Sequence, residues 1–263
     1  MLFHRAKSFF RYLLNAKNAH GIHSPFIYEL YTTVIRRQTH YYAFEDLLNY
    51  RKKLAQDYTQ LSLIDLGAGP SNQQSPPRYV RVKDIYKRSG HTIKDTSLLF
   101  KLALHFKPQH LLELGTCLGV STLYLAKADP KATVYTLEGN PDYATHAREA
   151  FIQYQSTNIV LIEGNIHHTL GIAMDRIPSL DFAFIDAHHA FEPTLHFFKT
   201  CLTKAHENTV IVLDDIHWSP EMERAWEVIK QMEEVKQTVD LFQFGLVFFK
   251  STQAKEHFVL RYF

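Results

Sequence analysis

From about Thr92 onward the chain alternates short β-rich runs with amphipathic helical ones, and this alternation constrains its fold more than any other feature. Strands read over 111–115, 133–138, 158–163, 180–186, 209–214 and 237–250. Helices read over 94–106, 119–128, 141–154, about 166–175, 191–203 and 219–232. Such a pattern builds a parallel sheet with crossover helices on both faces. The last run, Thr238 to Lys250, is long enough to turn at Phe244-Gly245 and return as an antiparallel pair.

The first of these strands ends in an acid and then two glycines: Leu111-Leu-Glu-Leu-Gly-Thr-Cys-Leu-Gly-Val-Ser121. A buried strand that stops at a glycine turn and opens into a helix leaves backbone N–H groups free at the carboxyl edge of a sheet, where ligands of α/β proteins sit. Gly115 and Gly119 are separated by three residues and Glu113 precedes them, which departs from the G-x-G-x-x-G spacing of a dinucleotide fingerprint. A carboxylate at this strand end suits a ligand with an amino group and a positive charge, such as S-adenosylmethionine, better than a pyrophosphate.

Functional groups of an open parallel sheet collect at the carboxyl ends of its strands. The second strand ends in Glu138, 23 residues past Gly115, a distance typical of the acid that binds a ribose diol. The third ends in Glu163-Gly164-Asn165-Ile166-His167, suited to lining an adenine. The fourth ends in Asp186-Ala-His-His189 and the fifth in Asp214-Asp215-Ile-His217.

Singly, Glu138, Asp186 or Asp214 could cap the helix that follows, since an acid there gains about 0.3–1 kcal/mol. Three acids at two adjacent strand ends imply a cation or a shared proton, because crowded carboxylates raise one another's pKa. Oxygen ligands of this kind suit Mg²⁺ or another divalent cation such as Ca²⁺, and His188, His189 and His217 also admit a softer metal. His189, three residues past Asp186, could take a proton from a hydroxyl at neutral pH.

The first 60 residues are aromatic and basic, with apolar faces for a helix near residues 2–14 and a second from about Pro25 to Arg37. They read as a helical cap that shapes a substrate mouth, with a membrane-surface or nucleic-acid contact as the alternative. Leu61-Ser-Leu-Ile-Asp-Leu-Gly-Ala-Gly-Pro70 imitates a glycine loop, but turn formers follow it instead of a helix, so 61–90 reads as a strand or hairpin with a loop and the glycines at 65–70 as a decoy. The expected division is an extension over 1–90 and a main domain over 91–263. At 263 residues and 46% hydrophobic composition the chain has enough apolar side chains for that core. Two cysteines, no signal peptide and no transmembrane segment point to a reduced, cytoplasmic protein.

Together these motifs resemble the class I S-adenosylmethionine-dependent methyltransferases, and among them the catechol O-methyltransferase-like and related small-molecule O-methyltransferase families. Glu113-Leu-Gly-Thr-Cys-Leu-Gly-Val-Ser121 is similar to the first motif and Leu137-Glu-Gly-Asn-Pro-Asp-Tyr143 to the ribose-binding second motif. Phe184-Ile-Asp-Ala-His-His-Ala-Phe-Glu192 resembles the I-D-G-x-H-x-Y-E signature of a related branch, and Leu213-Asp-Asp-Ile216 falls where the family carries an Asp-Asn metal pair. The resemblance implies a Rossmann-like, doubly wound, seven-stranded mostly parallel sheet with an antiparallel last strand, plus the N-terminal helical extension. It implies a cofactor site of Glu113, Gly115, Thr116, Cys117, Gly119, Ser121, Glu138, Gly139, Gly164, Asn165, Ile166 and Asp186 for S-adenosyl-L-methionine. Asp186, Asp214 and Asp215 would be metal ligands, and His189 with Asp186 catalytic. The implied partner is a small-molecule acceptor; nucleic acid is less favoured, and a homodimer is admitted. An RNA or protein methyltransferase and a cofactor binder without catalysis are the rival readings. Two departures, His189 in place of the catechol enzymes' lysine and Asp215 in place of their asparagine, separate this chain from catechol itself as substrate.

Overall fold

The computed structural model describes residues 2–39, 41–63 and 78–262. Its elements run α1 (Leu2–Asn15), α2 (Pro25–Leu30), α3 (Ala43–Gln56), β1 (Gln60–Leu63), β2 (Arg78–Arg81), α4 (Val82–Ser89) and α5 (Ile93–Phe106). Strict alternation then follows with β3 (His110–Leu114), α6 (Val120–Ala128), β4 (Thr133–Glu138), α7 (Pro141–Gln153), β5 (Ile159–Glu163) and α8 (Ile166–Arg176). The remainder is β6 (Leu180–Ile185), α9 (Phe191–Leu202), β7 (Ala205–Asp214), α10 (Pro220–Gln231), β8 (Gln237–Asp240), β9 (Phe244–Phe248) and β10 (Glu256–Val259).

The chain forms two compact units. Unit one comprises residues 1–37, 108–113 and 174–263, and unit two residues 38–107 and 114–173, so the expected 1–90 extension is shared between them. In unit one the strand order is β10-β8-β9-β7-β6-β3. β6 and β7 pair in parallel, while β9 runs antiparallel to both β7 and β8. In unit two β4 and β5 pair in parallel, and β1 and β2 form a separate antiparallel hairpin.

The fold is therefore the expected α/β class with mostly parallel strands and one strand reversed. In unit one the short β10, which the sequence reading does not include, adds itself parallel to β8. The reversal falls at residues 241–243, just before the Phe244-Gly245 turn that the sequence suggests. β6 shows why the strands are central: Leu180, Phe182, Ala183, Phe184 and Ile185 are all buried, the continuous apolar run of a strand covered on both faces.

Two further differences have local causes. The second helix is α-helical only to Leu30 and continues as a π-helical turn over Tyr31–Ile35. Thr32 and Thr33 sit at that change, with hydroxyls that donate back to the carbonyls of Tyr28 (2.8 Å) and Glu29 (2.7 Å) and compete with the main-chain ladder. The hairpin expected in 61–90 is present as β1–β2, whereas the glycines at 65–70 lie outside the described residues. No helix among the described residues is long and apolar enough to cross a membrane.

Candidate active site

In unit two the glycine turn has the backbone that its sequence requires. Gly115, Gly119 and Gly164 have φ of 100°, 73° and 133°, a region costly for any residue with a Cβ. A Cβ on Gly119 would also lie 2.6 Å from Phe151 Cε1, so this position answers to helix packing as well as to the turn. The N–H groups of Gly115 and Thr116 donate to the Leu137 carbonyl (3.0 and 3.1 Å), which ties the turn to the end of β4.

Glu138 closes the arrangement. It is buried, with one carboxylate oxygen accepting from the Cys117 N–H (2.7 Å) and the other from the Asn140 N–H (2.8 Å). Two main-chain donors thus fix the carboxylate plane.

Asn140 caps α7, its side-chain oxygen accepting from Asp142 N–H (2.9 Å) and Tyr143 N–H (3.3 Å), with Pro141 at the first helical position. The same Asn140-Pro-Asp142 step holds β1 at two points. Asn140 Nδ2 donates to the Ser62 carbonyl (2.7 Å), and the Ser62 N–H donates to Asp142 Oδ2 (2.6 Å). This clamp has no counterpart in the sequence reading.

Other residues of the expected cofactor set serve the loop itself. Thr116 is buried with its hydroxyl 2.5 Å from that of Thr136, and Cys117 takes a positive φ of 47°. Ser121 is buried in the first turn of α6. Asn165 accepts the His167 N–H (3.0 Å) at the start of α8, of which Ile166 is the first, buried residue. Gly139 is half-buried between Glu138 and the cap. Glu113 belongs to the edge of unit one and is fully buried.

In unit one the structure gathers acids and histidines. Asp186 follows β6 directly, and its Oδ1 lies 3.2 Å from His189 Nε2. His188 and His189 have φ of 64° and 36°, a tight left-handed turn that brings His189 back toward Asp186. Burial alone would lower the His189 pKa. The hydrogen bond that the ring donates to Asp186, the charge of Asp186, and those of Asp214 and Asp215 outweigh that, and the imidazole is pushed up to about 9. At neutral pH His189 is therefore an imidazolium, not the ready base that its ordinary pKa suggests. One ligand atom each from His189, Asp214 and Asp215 lie within 4.8 Å of one another.

Two residues absent from the sequence reading complete this cluster. Gln243, in the turn between β8 and β9, donates through Nε2 to Asp214 Oδ1 (2.8 Å) and Asp215 Oδ1 (2.9 Å). Arg5, from α1, donates through Nη2 to Gln243 Oε1 (2.9 Å) and lies 3.7 Å from Asp215 Oδ1. Three carboxylates have the hard-oxygen chemistry for a divalent cation. Asp214 and Asp215 each direct one oxygen to Gln243 Nε2, and with His189 they form a group whose ligand atoms are close enough to hold a cation.

His217 is a partner of carboxylates instead of a metal ligand. Its Nδ1 lies 2.9 Å from Glu223 Oε1 and its Nε2 2.8 Å from Asp240 Oδ2. Burial lowers its pKa, but these two partners outweigh burial and raise it. The ring stacks on Phe242 at 5.2 Å.

Among known proteins, residues 112–216 match a family described as "Methyltransferase domain". The chain is also 32% identical over 124 residues to a catechol O-methyltransferase from Niastella koreensis, a match covering 44% of this chain and 52% of that relative. It thus spans about half the length of the curated protein it matches. Solved structures share the fold. A Podospora anserina methyltransferase bound to S-adenosylhomocysteine is 17% identical, with a TM-score of 0.59 over 88% of this chain and 97% of that one. An O-methyltransferase from Bacillus cereus, bound to the same compound, is 17% identical, with a TM-score of 0.55 over 83% and 94%. At such identities these likenesses establish the fold alone.

Proposed function

We propose that the chain is an S-adenosylmethionine-dependent methyltransferase acting on a hydroxyl oxygen of a small molecule. The observation that carries this reading is Glu138. Its plane is fixed by two main-chain N–H groups at the end of β4, where an acid takes a ribose diol, beside a turn whose glycines permit close main-chain approach. The printed names of the relatives, O-methyltransferases among them, supply the direction of the chemistry.

When bound, the sulfonium cofactor supplies an already activated methyl group. What is left for the protein is to align donor and acceptor and to remove the acceptor's proton. Glu138 grips the ribose, the turn at 115–119 admits the methionine end, and Gly164 to Ile166 line the base. Asp186 and His189 act as one unit on the acceptor. Asp186 holds the ring in place, and His189 takes the acceptor's proton once it has released its own, so turnover rises with pH toward about 9. α1 caps the acid end of unit one. No step in this scheme passes through a metal.

Calorimetric titration tests the reading. S-adenosylmethionine and S-adenosylhomocysteine are expected to bind the wild-type chain one to one. Glu138→Gln should weaken both by roughly 10–100-fold, the worth of losing hydrogen bonds to a charged acceptor. Equal affinity in the two proteins would remove Glu138 from the site and the reading with it.

A further inference from the structure

The first 28 residues contain Arg5, Lys7, Arg11 and Lys17 and no acid. α1, which carries the first three of these, is docked in unit one along a single face. Phe9 and Tyr12 pack on the Phe242 ring at 4.9 and 5.4 Å, Arg5 donates to Gln243 (2.9 Å), and the Tyr12 hydroxyl donates to the Leu260 carbonyl (2.5 Å). Just past the helix, the Lys17 N–H donates to the Val259 carbonyl (2.8 Å) and the Arg261 N–H to the Lys17 carbonyl (3.1 Å). The helix is thus held at both ends of its inner face, and its outer face has a defined direction.

That outer face is apolar. Phe3, Phe10 and Leu14, at i, i+7 and i+11, fall within about 40° of one another around the helix, and they are 86%, 64% and 72% exposed. A single exposed apolar side chain is ordinary; three large ones aligned on one helix face mark a surface that is covered in use. Lys7, one turn from both Phe3 and Phe10, and Arg11, one turn beyond Lys7, are exposed and line one edge of the stripe. Arg11 lies 3.8 Å from Glu223 and keeps more than half of its side chain in solvent. At 14 residues α1 is about 21 Å long, too short to cross the ~30 Å hydrocarbon core of a bilayer, so it suits a position in the plane of the surface. A second copy of the chain laid on this face about a twofold axis would bring Lys7 and Arg11 toward their own equivalents, whereas anionic headgroups supply both with countercharges.

We propose that the outer face of α1 is an interfacial anchor that seats the chain on a bilayer containing anionic lipid. Phe3, Phe10 and Leu14 enter the boundary between headgroups and acyl chains, and Lys7 and Arg11 extend along the edge of the stripe to the headgroup phosphates. The inner face stays on the protein, so docking and anchoring use different sides of one helix. This inference is independent of the methyl-transfer reading, because it uses none of the residues placed in the cofactor turn or the acid cluster.

The test is co-sedimentation of the full chain with vesicles of phosphatidylcholine alone and of phosphatidylcholine with about 30 mol% phosphatidylglycerol, at about 0.05 and 0.5 M NaCl. The wild-type chain is expected to bind the phosphatidylglycerol vesicles at low salt, and at least about tenfold more weakly when either the anionic lipid is left out or the salt is raised. The double variant Phe3→Ser, Phe10→Ser should lose at least about tenfold in affinity, and Lys7→Glu several-fold. Both should keep the wild-type circular dichroism and thermal midpoint, because the altered side chains are in solvent. In Phe10→Trp, vesicles should shift the tryptophan emission to the blue relative to the same vesicles with the wild-type chain. No binding to phosphatidylglycerol vesicles would overturn the proposal, as would equal binding by the wild-type chain and the folded double variant, or equal binding to both kinds of vesicle. A wild-type dimer in analytical ultracentrifugation that the double variant dissolves, with no vesicle binding, would assign the face to a second copy of the chain instead.

Discussion

The glycine turn of unit two and the acid cluster of unit one solve opposite problems with opposite means. In the turn, one acid is held by main-chain N–H groups whose directions follow from φ values at a few neighbouring residues. In the cluster, several acids are held by side chains from residues 5, 189 and 243, far apart in sequence. A backbone-built site depends on residues that permit a conformation. A site built from opposed charges depends on every partner being delivered, and each loss leaves a charge exposed to its like.

Substitutions that separate these two modes sharpen the contrast. The largest effect is expected in the acid cluster. Asp186→Asn should lower turnover by about 10²–10⁴-fold while changing S-adenosylmethionine affinity by less than about threefold. It should also move the rise of the pH–rate profile down from about 9, because it removes the principal partner raising His189. Single-turnover kinetics beside calorimetry measures both, and a parallel collapse of cofactor affinity would assign Asp186 to the other site.

Next comes the turn. Gly119→Ala meets a positive φ and a 2.6 Å contact with Phe151, and should destabilise the fold by about 2–4 kcal/mol and weaken the cofactor roughly a hundredfold. Chemical denaturation with binding by fluorescence would read both, and a variant as stable as wild type would deny the turn its constraint.

The third concerns pH. His217 has a raised folded-state pKa, so its pair with Glu223 and Asp240 contributes stability fully below about 6.5, the ordinary histidine value, and loses it as pH rises through the folded value. Glu223 shows the opposite sense: burial raises its pKa, but the hydrogen bonds from Ser8 and His217 lower it overall. Its contribution is present above about 4.5 and lost as pH falls. The gap in thermal midpoint between wild type and His217→Gln should therefore be widest near pH 5–6 and close as pH rises. A gap independent of pH would mean that the ring acts by packing on Phe242 alone.

The smallest effect is expected at Asn140→Ala, which removes the α7 cap and one of two hydrogen bonds to Ser62, for about 1–2 kcal/mol in urea denaturation. Little change in cofactor affinity should accompany it.

Much of this was legible in residue order. Periodicity located the strands and helices from Thr92 onward, and the glycines at 115 and 119 marked a turn because few other residues accept the conformation it needs. The short β10 was missed because four residues flanked by loops carry too little pattern, and the π turn after Leu30 because helical spacing continues through it. Asp186, Asp214, Asp215 and His189 were readable as a group from their places at strand ends. Their charge states were not. The shift of His189 and the donors on the acid pair depend on neighbours that no local motif announces.

Sequence by itself determined the α/β alternation, the glycine turn and the acid at position 138, since each rests on interactions within a few residues or on a repeating period. Only tertiary structure decided that α1 sends Arg5 to Gln243, that Gln243 bridges two aspartates, and that His217 lies between two carboxylates. The physical reason is that electrostatic compensation acts through space over a few ångströms. Its partners here lie up to more than 200 positions apart along the chain, where neither period nor spacing relates them.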